Sequence, residues 1–94
     1  MIFTDCQVDT ATEILKSVAH PIRLKILCFL LEGEKNVGEI EQKFGSTISN
    51  ISQHLTVLRK ADIIIRRKDA NFMYYSLKDN NIVTFMETIK TLFC

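Results

Sequence analysis

The sequence predicts a mainly α-helical protein with one β-hairpin, arranged as a winged helix-turn-helix. Apolar residues recur at helical spacing in five segments of the chain. Two of these segments are short and meet at Gly45, as two helices joined by a tight turn would. A β-branched run, a short turn and an aromatic run then follow, which is the pattern of a hairpin.

Size and composition indicate one small globular domain spanning residues 1–94. Hydrophobic residues make up 47% of the chain and charged residues 24%, which excludes disordered and collagen-like classes. The longest apolar run covers only residues 26–31, whereas a membrane span needs about 20 residues. Residues 1–10 contain two aspartates and no Lys or Arg, unlike a secretory signal. We therefore expect a cytoplasmic protein without membrane contact.

The sequence contains too few cysteines and histidines for a disulfide framework or a structural zinc site. Cys6, Cys28 and Cys94 include no C-x-x-C pair, and three cysteines cannot all pair within one chain. A four-ligand zinc site would need nearly all of them together with His20 and His54. No catalytic set, phosphate loop or cofactor motif is present, so we expect no cofactor and no enzymatic activity. His20 is expected to be a helix-boundary residue.

Helix boundaries follow from capping residues. The first four helices are expected at about residues 10–18, 21–31, 37–44 and 48–61, and a fifth after Asp79 or Asn80. Pro21 suits a helix start and Gly33 a helix end. Asn36, with Glu39 three residues later, forms a capping box for the third helix.

The fourth helix has an unusual outer face. Its inner stripe is apolar, while its other side carries Ser49, Asn50, Ser52, Gln53, Thr56 and Arg59. A solvated face is usually rich in Glu and Lys, whereas small hydrogen-bonding side chains suit the edges of DNA bases. We predict DNA contacts from Thr47, Ser49, Asn50, Ser52, Gln53 and His54. The alternative is an amphipathic core helix whose outer face has no function.

A basic hairpin follows this helix, with strands expected at residues 63–68 and 72–77. Residues 59–78 contain six Lys or Arg and two Asp, although the whole chain has a net charge of only +1. Such clustering is typical of a module that contacts phosphate with one edge. We predict phosphate contacts from Arg66, Arg67 and Lys68, which would position the protein without reading sequence. The alternative is a charged, solvated hairpin.

Four segments carry a family resemblance: SVAHPIRLKIL at 17–27, VGEI at 37–40, SNISQHLTVLR at 49–59 and YYSL at 74–77. Together they resemble the ArsR/SmtB family of bacterial winged-helix repressors. The resemblance implies a homodimer that binds double-stranded operator DNA and releases it when an inducer binds or reacts. Asp62 stands where many relatives have Gly before the wing, and Asp tolerates a left-handed backbone better than most residues.

The implied dimer is built on the first and last helices. Both helices have apolar stripes, and the domain already has a central second helix to bury. The interface residues that we predict are Ile14, Ile82, Phe85, Met86, Ile89 and Leu92.

The resemblance also bears on what the protein senses. The third helix contains no Cys or His and the last helix no His, so the family's usual metal sites are disfavoured. The contexts of Cys28 and Cys94 resemble the dithiol branch of the family (BigR, HlyU, YgaV and SqrR types). This implies that Cys28 and Cys94 form a redox pair that responds to reactive sulfur species or oxidants, with Cys6 outside the pattern.

Two alternatives remain at the level of sequence. In the first, Cys28 is a small core hydrophobe and Cys94 an idle tail, in a regulator that responds to another ligand or a metal. In the second, the winged helix serves protein contacts only and binds no DNA.

Overall fold

The computed structural model describes residues 4–45 and 48–93, with the backbone alone for residues 48 and 49. The described residues form α1 (Asp5–Val18), α2 (Pro21–Leu30), β1 (Lys35–Asn36), α3 (Val37–Phe44), α4 (Ile48–Lys60), β2 (Ile64–Asp69), β3 (Phe72–Leu77) and α5 (Asn80–Phe93). The predicted fold class, a helical protein with a hairpin wing, is confirmed.

Capping residues set most helix ends. Helix α1 begins earlier than expected because Thr4 forms a capping box with Gln7, in which each side chain bonds the other's backbone N–H. The predicted box of Asn36 and Glu39 is present at α3, with bonds of 2.8 and 3.1 Å. Asp79, one of the two predicted caps of α5, accepts a hydrogen bond from the Ile82 N–H.

The sheet has three antiparallel strands in the order β1-β3-β2, with β3 in the centre. Strand β1 was not predicted from sequence. Its two residues, Lys35 and Asn36, pair with Tyr75 and Tyr74 of β3, so this strand exists through tertiary pairing and not through a local pattern. It ties the segment between α2 and α3 to the wing.

Two positions in the wing have a left-handed backbone. Asp62, just before β2, has φ of 64°, as expected where relatives carry Gly, and its carboxylate forms an ion pair with Lys78. At the hairpin tip Asp69 pairs with Phe72, which leaves a turn of two residues instead of the expected three. The first of these, Ala70, has φ of 55°.

The core lies between α2, the inner face of α4 and the sheet. Its buried hydrophobic residues are Val18, Ile26, Leu27, Leu30, Ile40, Ile51, Leu55, Leu58, Ile63, Ile64, Tyr75, Ile82 and Met86. Full burial of a Leu or Ile side chain contributes about 1.5–3 kcal/mol. The apolar stripe predicted for the fourth helix is therefore what fixes α4 to the body, leaving its opposite side exposed.

Candidate nucleic-acid interface

Helices α3 and α4 form the helix-turn-helix. Gly45 ends α3 in the left-handed region, with φ of 64°, and its N–H bonds the Glu41 carbonyl at 2.8 Å. On α4, Asn50, Ser52 and Gln53 are exposed, while Ile51 is fully buried on the other side. Three of the six predicted base-contacting side chains thus share an outward face.

The other three predicted base-contacting residues are not seen on this exposed face. Thr47 and the side chain of Ser49 lie outside the described residues. His54 is half-buried, and its Nδ1 accepts a hydrogen bond of 3.2 Å from Nε of Arg23. One ring nitrogen of His54 is therefore engaged within the protein, and its predicted base contact stays a prediction.

Arg23 and the two histidines form one cluster between α2 and α4. The His20 and His54 rings lie 4.6 Å apart, and Arg23 also donates to the Ser17 carbonyl at 3.2 Å. Desolvation, followed by the nearby His20 and Arg23, lowers the pKa of His54 below its ordinary value of 6.5. His20 caps α2 by accepting the Ile22 N–H, which confirms its predicted boundary role.

The three wing cations divide between the two faces of the hairpin. Arg66 and Lys68 are exposed, and neither makes an ion pair within the described part of the chain. Arg67 points to the other face and makes a two-pronged ion pair with Glu34, at 2.8 and 2.7 Å. The guanidinium of Arg67 is therefore already paired with a carboxylate, and its predicted phosphate contact stays a prediction.

Cys28 is exposed and not buried in the core. It lines a groove between α2 and α5, together with Leu31, Glu32, Val83, Glu87, Lys90 and Thr91. The alternative that Cys28 is a small core hydrophobe is therefore wrong. Cys94 lies outside the described residues, and Cys6 is exposed on α1.

The predicted interface residues differ in their burial within the single chain. Met86 is fully buried and Ile82 only 8% exposed within a single chain, so both belong to the protomer's own core. Ile14, Phe85 and Ile89 are half-buried. The exposed apolar side chains of α1 and α5 are Val8, Leu15, Leu92 and Phe93. The predicted interface did not include Val8, Leu15 and Phe93, although Val8, Ala11 and Leu15 recur at helical spacing.

The described residues contain neither a metal-binding group nor a membrane-spanning helix. No three His, Cys, Asp or Glu side chains of this part of the chain group closely enough to hold a metal ion. No helix within it is both long and apolar enough to cross a membrane.

Comparison with known proteins identifies the family. Residues 20–66 match the family described as bacterial regulatory protein, arsR family. The biofilm growth-associated repressor of Xylella fastidiosa is 35% identical over 86 residues, which are 92% of this chain and 75% of the repressor. The chain belongs to the arsR family. This confirms the resemblance, and members of this family are DNA-binding transcriptional regulators and not enzymes.

Solved structures agree with this assignment. HlyU from Vibrio cholerae N16961 has a TM-score of 0.92 and 33% identity to this arsR-family chain, covering 97% of it and 99% of HlyU. A winged helix-turn-helix domain of Mycobacterium bovis, described as homodimeric, has a TM-score of 0.89 over 97% of this chain and 87% of that domain, but only 21% identity. The latter likeness shows the fold alone. HlyU and the Xylella repressor represent the branch that the sequence resembles.

Proposed function

We propose that this arsR-family regulator is a homodimeric repressor whose affinity for a specific operator is controlled by thiol chemistry at Cys28 and Cys94. Reactive sulfur species or oxidants are the proposed inducers. The observation that carries the sensing part is the exposure of Cys28 in a groove lined by α5, the helix that leads to Cys94. A regulator acts at the chromosome, so we place it in the cytoplasm.

Recognition of DNA is assigned to two surfaces. The exposed Ser52 and Gln53 suit base edges in the major groove because they hydrogen-bond without strong charge. Arg66 and Lys68, exposed on the wing, suit phosphate contacts. Thr47, Ser49 and Asn50 complete the proposed reading face.

Dimerisation is proposed through α1 and α5. Leu92 and Phe93 are 68% and 79% exposed, and Leu15 is 54% exposed. Exposed apolar side chains on adjoining helices mark an interaction surface. An apolar groove between the helices, lined by Ala11, Ile14, Leu15, Asn81, Ile82 and Phe85, extends this surface. The M. bovis domain, which has the same fold, is described as homodimeric.

The proposed switch consumes a sulfane sulfur donor. One cysteine thiolate attacks the donor's outer sulfur and releases the donor thiolate, which leaves a persulfide on the protein. The other cysteine's thiolate then attacks the inner sulfur of that persulfide and expels hydrosulfide, which leaves a disulfide. Where a second donor has made both cysteines persulfides, the outer sulfur of one attacks the inner sulfur of the other and expels hydrosulfide, which leaves a trisulfide bridge. The donor is the two-electron oxidant. The new link would join α2 to the end of α5 and so bias the placement of the two reading helices in the dimer.

The test is a DNA-binding measurement on the reduced protein. Duplexes selected from a random library should bind far more tightly than mixed-sequence DNA, and the affinity should fall steeply with salt. A persulfide donor or peroxide should weaken binding, and a reductant should restore it. Release by zinc alone would favour the alternative of a metal-responsive regulator. Absence of salt-dependent DNA binding would favour the protein-interaction module.

A further inference from the structure

Arg67 has four different contacts on the outer face of the wing. Its Nε and Nη2 donate to the two carboxylate oxygens of Glu34, and its Nη1 lies 3.5 Å from Asp69. Its guanidinium also stacks over the Tyr74 ring, 4.7 Å from the ring centre. We propose that Arg67 is a positioning residue, which with Glu34 fixes the wing to the body, and that it makes no phosphate contact.

Glu34 lies outside the wing, so its ion pair with Arg67 connects the wing to another part of the chain. Glu34 lies between the end of α2 and β1, 33 residues before Arg67 in sequence. Strand β1, which follows Glu34, pairs with β3 and not with β2. Glu34 itself contacts β2, through Arg67. The ion pair therefore links β2, an edge strand of the sheet, across β3 to the segment that follows α2.

The sheet register separates this role from DNA binding. Arg66 lies opposite Tyr75 and Lys68 opposite Met73, on one face of the hairpin. Arg67 lies opposite Tyr74 and shares the other face with Asp69. Neighbouring cations of one run thus have different surroundings, and only Arg67 is flanked by carboxylates in the described chain.

The chemistry of the pair suits positioning. An isolated exposed ion pair contributes little, but a bidentate arginine–carboxylate pair within a network holds a defined geometry. The hydrogen bond from Arg67 lowers the pKa of Glu34, and the same bond raises the pKa of Arg67, so both groups stay charged across the physiological range. A phosphate would have to displace Glu34 to reach this guanidinium.

The role of Arg67 rests on the proposed phosphate contact of the wing. The salt dependence of DNA binding tests the phosphate contact and the role of Arg67 together. Any mixed-sequence duplex serves, because phosphate contacts do not depend on sequence. Arg66→Gln should reduce the slope of log affinity against log salt by about one unit per lost contact. Arg67→Gln should leave the slope unchanged and weaken binding at every salt concentration by at most about fivefold. An equal loss of slope in both variants would overturn the proposal.

Hydrogen exchange of the free protein tests the positioning without DNA. Amides of β2 and β3 should exchange faster in Glu34→Gln and in Arg67→Gln, by at most about fivefold, and no faster in the double variant. Arg66→Gln is the matched control and should leave these amides unchanged. Unaltered exchange in both single variants, or additive effects in the double variant, would overturn the positioning role of Arg67 and Glu34. If Arg66→Gln leaves the salt slope unchanged, the wing's phosphate contact is wrong, and the exchange data alone decide the role of Arg67.

Discussion

Arg23 and His54 join α2 to α4, with Nε of Arg23 donating to Nδ1 of His54 at 3.2 Å. Because Arg23 also bonds the Ser17 carbonyl at the end of α1, one side chain connects three helices. Nδ1 of His54 can accept this bond only while it carries no proton. Protonation of Nδ1 would break the bond and place a cation beside Arg23.

Stability should therefore depend on the protonation of His54. The folded-state pKa lies below the ordinary value of 6.5, so near pH 6 the unfolded chain binds more protons at this site than the folded chain. The contribution is fully present above about pH 6.5 and is lost as the pH falls through the folded-state pKa. Denaturant unfolding between pH 7.5 and 5.5, as an approximate window, should show a smaller loss of stability for His54→Gln than for wild type.

Gln53→Ala is the control for this measurement, since Gln53 is exposed on the same helix and does not titrate. Its profile should parallel that of the wild type. Parallel profiles for wild type and His54→Gln would show that the interaction does not control stability in this range.

Gln53 and Ser52 should determine which duplex the protein prefers. Replacing either by Ala removes a hydrogen bond to a base edge, and a good bidentate base contact contributes about 1–3 kcal/mol of discrimination. The ratio of affinities for the selected duplex and mixed-sequence DNA should fall for Gln53→Ala and Ser52→Ala. Ser49→Ala is predicted to behave in the same way.

Lys68→Gln is the comparison for these variants, because it should weaken binding to both duplexes by the same factor. A ratio that does not change in any of the α4 variants would place sequence recognition on another element.

Ala70 should be replaceable by glycine with a gain in stability. The residue occupies the first position of a two-residue hairpin turn with φ of 55°, which favours Gly. A left-handed conformation costs an L-residue about 1–2 kcal/mol, and Gly avoids this cost. Part of the gain is lost because Gly has more backbone entropy in the unfolded chain than Ala has. Ala70→Gly should raise the free energy of unfolding by about 0.5–1 kcal/mol. Asn71→Gly, at the neighbouring position without positive φ, should not.

Leu92 should contribute to dimerisation but not to the folding of the protomer. It is 68% exposed in the single chain, so Leu92→Asp should leave the helical content intact. In a dimer interface the same charge would be buried without a partner, which costs several kcal/mol as an order of magnitude. Sedimentation should show monomer and DNA binding should be lost. Thr84→Asp, at an exposed polar position of α5, is the control and should remain dimeric. A dimeric Leu92→Asp would place the interface elsewhere.

Features encoded by neighbouring residues could be predicted from the sequence, whereas features made by distant residues could not. Capping boxes and the α4 stripe are encoded within a few residues, so Asn36, Glu39 and Leu55 were assigned correctly. Features made by distant residues were missed. Glu34 and Arg67 are 33 residues apart, and no pattern in either segment signals that they pair.

The last helix shows the same limit in another form. Its apolar residues cover a wide stripe, and periodicity alone does not say which of them faces the core of the protomer. Packing against the rest of the chain puts Met86 inside and leaves Leu92 and Phe93 outside. The sequence shows which positions of this helix are apolar. Which of them face the protomer's core, and which are left exposed for another surface, depends on tertiary structure.

The cysteine variants test the switch. Cys28→Ser and Cys94→Ser should each abolish the response to a persulfide donor and leave DNA binding of the reduced protein intact. Cys28 is exposed, so its replacement by Ser should not disturb the fold. Allosteric couplings are about 1–3 kcal/mol, so the donor should weaken operator binding by wild type roughly 5–150-fold. Cys6→Ser, an exposed cysteine on α1, is the matched control and should respond as wild type does.

Mass spectrometry of the treated wild type should then show Cys28 joined to Cys94 within one chain, directly or through additional sulfur atoms. A direct disulfide needs Cα atoms within about 7 Å, and inserted sulfur atoms relax that limit. Since the link needs both thiols, the double variant Cys28→Ser/Cys94→Ser should bind DNA equally well before and after treatment. If the donor still released this variant from DNA, the signal would act at another site, and the two cysteines would have no part in sensing.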